Sequence, residues 1–245
     1  MWLFIWDSEP SKIFVGDTPI SKVFLWDTQV RPSGWWGWQP WANTIAYYPL
    51  TSDFNDQSWN GYNLTNDGGV ISNVWWIDCG YYNGSSYSII TSQPSLSNTR
   101  TISCWRMPTS TSWVMWIVVT WDTHNAPNMW GLQQNSWEIR WSEWRTLNQS
   151  VNSWVAVTVN NWYYLVTTIN NGTTAKIYVN WNLENTITRS TPIIAWTNIG
   201  IWSKSSPTYS EKAIGYVSNA IIESVAWTDQ EILDYYNLTK SNYGL

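Results

Sequence analysis

Short apolar stretches separated by Asn, Gly and Ser turns follow one another from residue 45 to the C-terminus. Val, Ile, Thr and Tyr dominate these stretches, and no helical patterns come between them. Regular spacing of this kind is typical of an antiparallel β-sandwich. The predicted strands include TIAYYPL, SYSII, RTISCW, WVMWIVVT, YYLVTTI, AKIYVN and IGYVSNAIIESVAW.

A single helix is predicted near the C-terminus, in TDQEILDYYNLTK. Thr228 followed three positions later by Glu231 is the pattern of a capping box. Ile232, Leu233 and Tyr236 then give an apolar stripe at helical spacing. We expect the helix to cover about residues 228–238.

Residues 1–32 contain a ten-residue unit three times, in FIWDSEPSKIFVGDTPISKVFLWDTQVRP. Each unit has a short apolar stretch, a Gly-Asp or Trp-Asp pair, and then Ser or Thr. Gly-Asp between β-forming stretches predicts a two-residue hairpin turn. We therefore predict a β-hairpin repeat module over 1–32, a linker rich in Gly, Pro and Ser over 33–44, and one β domain over 45–245.

Five motifs in the β domain resemble, in order, those of the concanavalin A-like, laminin-G-type jelly rolls. They are IAYYPLTSDFNDQSWNGYNLT, YYNGSSYSII, RTISCWRM, NNWYYLVTTINNGTTAKIYVNWNLE and IGYVSNAIIESVAWTDQEILDYYN. The resemblance implies an all-β fold, an antiparallel jelly-roll sandwich. The opening repeat is similar to short IFVGDT-like repeats near the start of phage structural and tail-associated proteins.

Tryptophan is the anomaly of the composition, with 24 Trp against 4 Phe. Trp59, Trp181 and Trp202 stand where the resemblance leads us to expect glycine, and Trp6 and Trp26 align with Gly16 in the repeat. We interpret these tryptophans as UGA codons that a recoded lineage reads as glycine. On this interpretation the residues that are glycine in the cell are Trp2, Trp6, Trp26, Trp59, Trp75 or Trp76, Trp181, Trp196 and Trp202.

Three tryptophans keep their identity in this interpretation. Trp105 and Trp162 match family tryptophans, and Trp227 precedes the helix, where an aromatic side chain packs well. The alternative is a truly Trp-rich protein that binds sugars or membranes by stacking. Functional aromatic residues should not follow the positions of turn glycines, which favours recoding.

Charge and composition narrow the range of partners. Twelve Lys and Arg against seventeen Asp and Glu give a net charge of −5 without a basic cluster. Nucleic acids and anionic membranes need concentrated positive charge, so neither is expected as a partner. The start of the chain has neither a basic region nor a cleavage site, so no secretory signal peptide is expected. Cys79 and Cys104 are expected to be buried thiols rather than a disulfide.

No catalytic constellation is recognisable, and we expect a protein that is not an enzyme. Related β-glucanases carry an E-x-D-x-x-E run on one strand, whereas the nearest pair here is Glu138 and Glu143. An odd spacing places the two residues on opposite faces of a strand. His124 is the only histidine, and we expect it to be a loop residue.

Calcium is the one cofactor that the sequence suggests. Asp53, Asp56 and Asn60 in the loop DFNDQSWNG could supply the oxygen ligands that calcium prefers. The resemblance also implies calcium at a loop of this kind in many members. The alternative is a loop whose Asp and Asn side chains cap their own turns.

These observations favour a non-catalytic carbohydrate-binding or adhesion protein whose partner is a glycan or cell-surface ligand. The repeat, the linker and the codon pattern together suggest a phage virion or tail-associated receptor-binding protein, located outside the cell or on the virion surface. A glycoside hydrolase of the glucanase-like jelly rolls is the first alternative. A purely structural virion or surface protein is the second.

Overall fold

A computed structural model describes most of the chain. The described residues are the short strands 14–15, 18–19, 23–25 and 28–30, and the ranges 42–90, 97–111, 114–121, 129–144, 150–188, 198–201 and 214–245. The chain divides into two compact units, Met1–Gln39 and Pro40–Leu245. The finer division at residues 32 and 44 stays a prediction.

The first unit contains two short hairpins. Strand β1 (Phe14–Val15) pairs with β2 (Thr18–Pro19), and β3 (Val23–Leu25) pairs with β4 (Thr28–Val30). Two of the three predicted hairpins therefore have paired strands. The predicted turn pairs at 6–7, 16–17 and 26–27 lie outside the described residues.

The second unit contains fifteen strands within its described residues. They are β5 (Thr44–Tyr48), β6 (Thr65–Asp67), β7 (Val70–Val74), β8 (Ile77–Asn83), β9 (Tyr87–Ile90), β10 (Arg100–Pro108), β11 (Val114–Trp121), β12 (Met129–Asn135), β13 (Glu138–Trp144), β14 (Ser150–Ala156), β15 (Tyr163–Asn170), β16 (Thr174–Val179), β17 (Asn182–Thr188), β18 (Asn198–Ile201) and β19 (Ile214–Glu223).

These strands form two antiparallel sheets that pack face to face. The eight-stranded sheet has the order β17-β16-β15-β10-β19-β8-β7, with β5 also paired to β19. The seven-stranded sheet has the order β14-β13-β12-β11-β18-β9-β6. Where one face of a strand is buried, alternate residues enter the core, as Ala46 and Tyr48 of β5 do. Ile102, Cys104 and Leu165 of the first sheet share this core with Leu132 and Ile139 of the second.

The helix α1 (Asp229–Thr239) packs on the outer face of the eight-stranded sheet and is followed by a 3-10 turn, Lys240–Tyr243. The hydroxyl of Thr228 accepts a hydrogen bond from the backbone of Glu231, whose side chain accepts one from the backbone of Thr228. The predicted capping box is therefore confirmed. Beneath the helix, the ring of Trp105 stacks on that of Tyr243 at 4.0 Å and on that of Tyr236 at 5.9 Å.

The architecture confirms the expected antiparallel jelly-roll sandwich with one C-terminal helix. Cys79 and Cys104 are both buried free thiols, as expected. Burial raises the pKa of each thiol to about 12, so both stay protonated near neutral pH.

Candidate functional site

The outer face of the seven-stranded sheet carries a cluster of polar side chains. Register pairs Gln133 of β12 with Arg140 of β13, and Arg140 with Asn152 of β14. Their neighbours Leu132, Ile139 and Trp141 belong to the core, so the alternation of a strand turns the polar residues outward. Gln133, Arg140, Ser142 and Asn152 are called here the outer-face polar patch.

Hydrogen bonds hold this patch in a fixed arrangement. The side-chain oxygen of Gln133 accepts from Nε of Arg140 at 2.5 Å and from the hydroxyl of Ser142 at 2.7 Å. Gln133 and Ser142 are buried, whereas Arg140 and Asn152 are half-buried. The side-chain oxygen of Asn152 is buried and has no hydrogen-bond donor among the described residues. The half-buried Arg140 and Asn152 are therefore the patch members that a ligand could reach.

Glu138 and Trp154 lie at one end of the patch. Glu138 has the same strand parity as Arg140, is buried, and accepts a hydrogen bond from the backbone of Trp154. Trp154 is 69% exposed at a bulge in β14 and has a left-handed φ of 59°. Trp154 shares this left-handed φ with tryptophans that lie in turns. It is therefore not counted as a member of the outer-face polar patch.

Glu138 and Glu143, weighed above as a catalytic pair, lie at positions of opposite parity on β13. Strands β12 and β13 pair without a register shift from Glu138 to Trp144, so residues 138 and 143 have opposite parity. This agrees with the expectation from their spacing.

The loop suggested for calcium is organised by its own backbone. The Asp56 carboxylate accepts hydrogen bonds from the backbone of Tyr47, the backbone and hydroxyl of Ser58, and the backbone of Tyr62, all at 2.6–2.8 Å. Each of its two oxygens therefore already has two donors. This donor set matches the capping alternative better than an ion.

The other two suggested ligands are engaged in the same loop. Asp53 accepts from the backbone and side chain of Asn55. The Asn60 side chain donates to the carbonyls of Thr44 and Ile45, which ties the loop to β5. Within the described ranges, no group of three or more His, Cys, Asp or Glu could hold a metal ion. Calcium binding stays a prediction.

Three tryptophans at glycine-like positions, Trp75, Trp76 and Trp181, lie in hairpin turns with left-handed backbone. Trp181 follows β16, is 43% exposed and has φ 71°, and Asn180 before it has φ 48°. Val179 pairs with Asn182, so Asn180 and Trp181 form a two-residue hairpin turn with positive φ at both corners. Trp75 and Trp76 form a second turn of this kind between β7 and β8, with φ 51° and 69°.

The remaining glycine-like positions differ among themselves. Trp59 is 92% exposed in its loop but is not among the residues with positive φ, and the left-handed residue of that loop is Gly61. Five glycine-like positions lie outside the described residues, namely Trp2, Trp6, Trp26, Trp196 and Trp202. His124, which was expected to be a loop residue, also lies outside them.

Sequence reasoning did not find the outer-face polar patch. Its residues are scattered through NMWGLQQNSWEIRWSEW and SVNSW, where frequent Trp, Asn and Ser obscure the alternation of strands β12 to β14. The one available signal was Q-x-N-x-x-E-x-R-x-S, in which polar residues recur at even spacing on each side of a turn.

No helix in the described residues is long and apolar enough to cross a membrane.

Comparisons with known proteins agree with this fold. A sequence profile of the concanavalin A-like lectin/glucanases superfamily matches residues 83–233, and the chain belongs to this superfamily. A search of curated protein sequences finds no match.

Several solved structures are similar to this chain at low sequence identity. Domain 4 of AbnA, a GH43 extracellular arabinanase from Geobacillus stearothermophilus solved with arabinotriose, has a TM-score of 0.67 at 16% identity, covering 78% of this chain and 97% of that one. A structure of botulinum neurotoxin type C, whose cell entry depends on interaction with two ganglioside molecules, has a TM-score of 0.60 at 17% identity, covering 80% and 51%.

The binding domain of Paraclostridial Mosquitocidal Protein 1 has a TM-score of 0.64 at 15% identity, covering 80% of this chain and 52% of that one. The chain thus spans about half the length of the matched toxin structures. At such identities, the likeness shows a shared fold.

Proposed function

We propose that this chain is a non-catalytic carbohydrate-binding protein that holds its glycan against the outer-face polar patch. The observation that carries the proposal is the half-buried Arg140, which is fixed by a hydrogen bond to Gln133 and paired in register with the half-buried Asn152. Amide, hydroxyl and guanidinium groups held in place by neighbours are suited to recognise the donors and acceptors of sugar hydroxyls.

The fold neighbours support a glycan as the ligand. One of them was solved with arabinotriose, and another belongs to a toxin whose cell entry depends on gangliosides. A similar fold does not transfer a binding site, so this support concerns the class of ligand and not the position of the site.

Binding without catalysis fits the charges near the patch. A glycoside hydrolase needs two carboxyl groups, about 5 Å apart in retaining enzymes and about 6.5–9.5 Å apart in inverting ones. Glu138 could serve as one of them, but Glu143 lies at a position of opposite parity.

A glycan array followed by calorimetric titration of the best binder tests the proposal. Arg140→Ala should weaken binding at least about tenfold, the order of effect expected when one hydrogen bond to a charged group is lost. Lys176→Ala, which removes a cation from the eight-stranded sheet, is the matched control and should bind as the parent does. Equal binding by Arg140→Ala and the parent would refute the site.

The same measurements separate the alternative functions. Release of reducing sugar from a bound oligosaccharide would favour the hydrolase alternative. A stable protein that is silent on the array would favour a structural role at a virion or cell surface.

The proposed origin is a phage virion or tail-associated protein of a UGA-recoded lineage, acting outside the cell. The left-handed φ of Trp75, Trp76 and Trp181 supports the recoding part of this proposal. Inspection of the gene tests it directly, because these positions should be UGA codons. UGG codons there would refute recoding.

Calcium remains a separate proposal for the loop of Asp53, Asp56 and Asn60. Thermal melts with calcium and with a chelator test it. A calcium-dependent melting temperature that disappears in Asp53→Asn would support an ion at this loop, and identical melts would argue against one.

A further inference from the structure

A lone carboxyl group is buried where the first strand of the second unit joins its sheet. Glu223 at the end of β19 has no exposed surface. One carboxyl oxygen accepts a hydrogen bond from the hydroxyl of Thr44 at 2.6 Å, and the other is buried without a hydrogen-bond partner among the described residues. Thr44 is the first residue of β5 and lies four positions after Pro40, where the second unit begins.

No cation on the described residues balances this carboxyl group. Register places Thr44 of β5 and Thr101 of β10 on either side of Glu223, and neither is charged. Among the described residues, Glu231 of α1 and Tyr164 of β15 are the titratable groups that interact electrostatically with Glu223. The nearest positive residue along β10 is Arg100, whose guanidinium lies 4.9 Å from the ring of Trp130 in the other sheet and so faces the core.

We propose that Glu223 is a proton-dependent latch that fastens the start of β5 to the sheet when protonated and loosens it when ionised. Other hydrogen bonds join the start of β5 to its neighbours close to this carboxyl group. The carbonyl of Asn43 accepts from the backbone and hydroxyl of Ser224, and the carbonyl of Thr44 accepts from the side chain of Asn60. The latch lies on the eight-stranded sheet and does not depend on the proposed glycan site.

The pH range follows from the state of the carboxyl group. Burial raises the pKa of Glu223 to about 7, the hydrogen bond from Thr44 opposes this rise, and the charge of Glu231 adds to it. An acid whose pKa is higher in the closed state than in the open one gives stability that is fully present below the open-state pKa. That stability is lost as pH rises from about 4.5 towards 7, because the closed state must then hold a buried charge.

Hydrogen exchange measured by mass spectrometry from pH 5 to pH 8, corrected for intrinsic exchange, tests the latch in the full chain. Amides of residues 43–48 should lose protection at least about tenfold over this range, since each pKa unit is a factor of ten. Glu223→Gln should remove this dependence. Glu184→Gln, the same change on the edge strand β17, should retain it.

A second variant keeps the test decisive if Glu223→Gln fails to fold. Thr44→Val removes the one hydrogen bond to the carboxyl group, so the midpoint of the protection change should move to higher pH. The proposal is overturned if Glu223→Gln or Thr44→Val leaves the pH dependence unchanged. It is also overturned if protection is lost equally across β16 and β17, because the change would then be global.

Discussion

Trp105 and Trp181 occupy the two kinds of position that tryptophan has in this domain. Trp105 has no exposed surface, lies on a regular strand and donates from its indole nitrogen to the hydroxyl of Thr239. Trp181 is 43% exposed and lies at a hairpin corner with left-handed φ. The first position makes use of a large side chain, whereas the second is a backbone geometry in which a side chain is a burden.

The described tryptophan side chains divide along the same line into a buried set and an exposed set. The buried set is Trp105, Trp116, Trp130, Trp141, Trp162 and Trp227. The exposed set is Trp59, Trp75, Trp76, Trp137, Trp154 and Trp181. Four of the exposed set, and none of the buried set, have positive φ. Tryptophans kept for stacking on a sugar would have no reason to prefer left-handed backbone, whereas misread glycines would.

Removal of Trp105 should have the largest effect on this comparison. Trp105→Gly leaves a cavity between the sheet and the helix, because its ring contacts those of Tyr164, Tyr236 and Tyr243 at 4.0–5.9 Å. The free energy of unfolding should fall by about 3–5 kcal/mol. Chemical denaturation measures it, and a loss below about 1 kcal/mol would contradict a structural role.

The double change Trp75→Gly and Trp76→Gly should have the next largest effect, with the opposite sign. Both residues are exposed and left-handed, and glycine adopts such backbone without strain. The unfolding free energy should rise by about 2–3 kcal/mol, from roughly 1–2 kcal/mol of strain relieved at each position and a smaller entropic cost of glycine. A loss of stability would show that these indoles pack in solution.

The sequence allowed the turn at 180–181 to be predicted but not the one at 75–76 in full. Asn180-Trp181 lies after a clear strand, in a place where Asn-Gly is the usual solution, so the misfit could be seen. Trp75 and Trp76 follow VISNV, a weak strand with several polar residues, and only one of the two was expected to replace glycine. Both corner residues of a turn can be assigned only when the register of its two strands is known, and the polar residues of β7 leave the register of β7 with β8 poorly specified by the sequence.

The outer-face polar patch and the buried Glu223 escaped prediction for a related reason. Strand alternation identifies which residues share a face, but not which face a second sheet or a helix will cover. Glu223 follows the apolar run AII in β19 and looks like a solvent-facing strand end. It is buried because Thr44, 179 positions away, lies against it.

Trp181→Gly should stabilise the domain by about 1–2 kcal/mol, which is the strain of a left-handed bulky residue. The turn itself should survive, because the backbone and side chain of Asn180 hydrogen bond with the backbone of Tyr164. Thermal and chemical denaturation of this variant beside Trp105→Gly gives the sharpest contrast. Equal destabilisation by the two changes would remove the physical argument for misread glycines.

Trp59→Gly should have the smallest effect and shows which property of the exposed set matters. Trp59 is the second most exposed of these tryptophans, at 92%, yet it lacks the left-handed φ of Trp181. Its loop is held by neighbours, since the hydroxyl of Ser58 and the side chain of Asn60 both donate to the carbonyl of Ile45. Replacement by glycine relieves no strain and adds some freedom to the unfolded chain, so the unfolding free energy should change by less than about 0.5 kcal/mol, with a slight loss. If Trp59→Gly instead stabilises as much as Trp181→Gly, exposure of the indole is the cause and backbone strain is not.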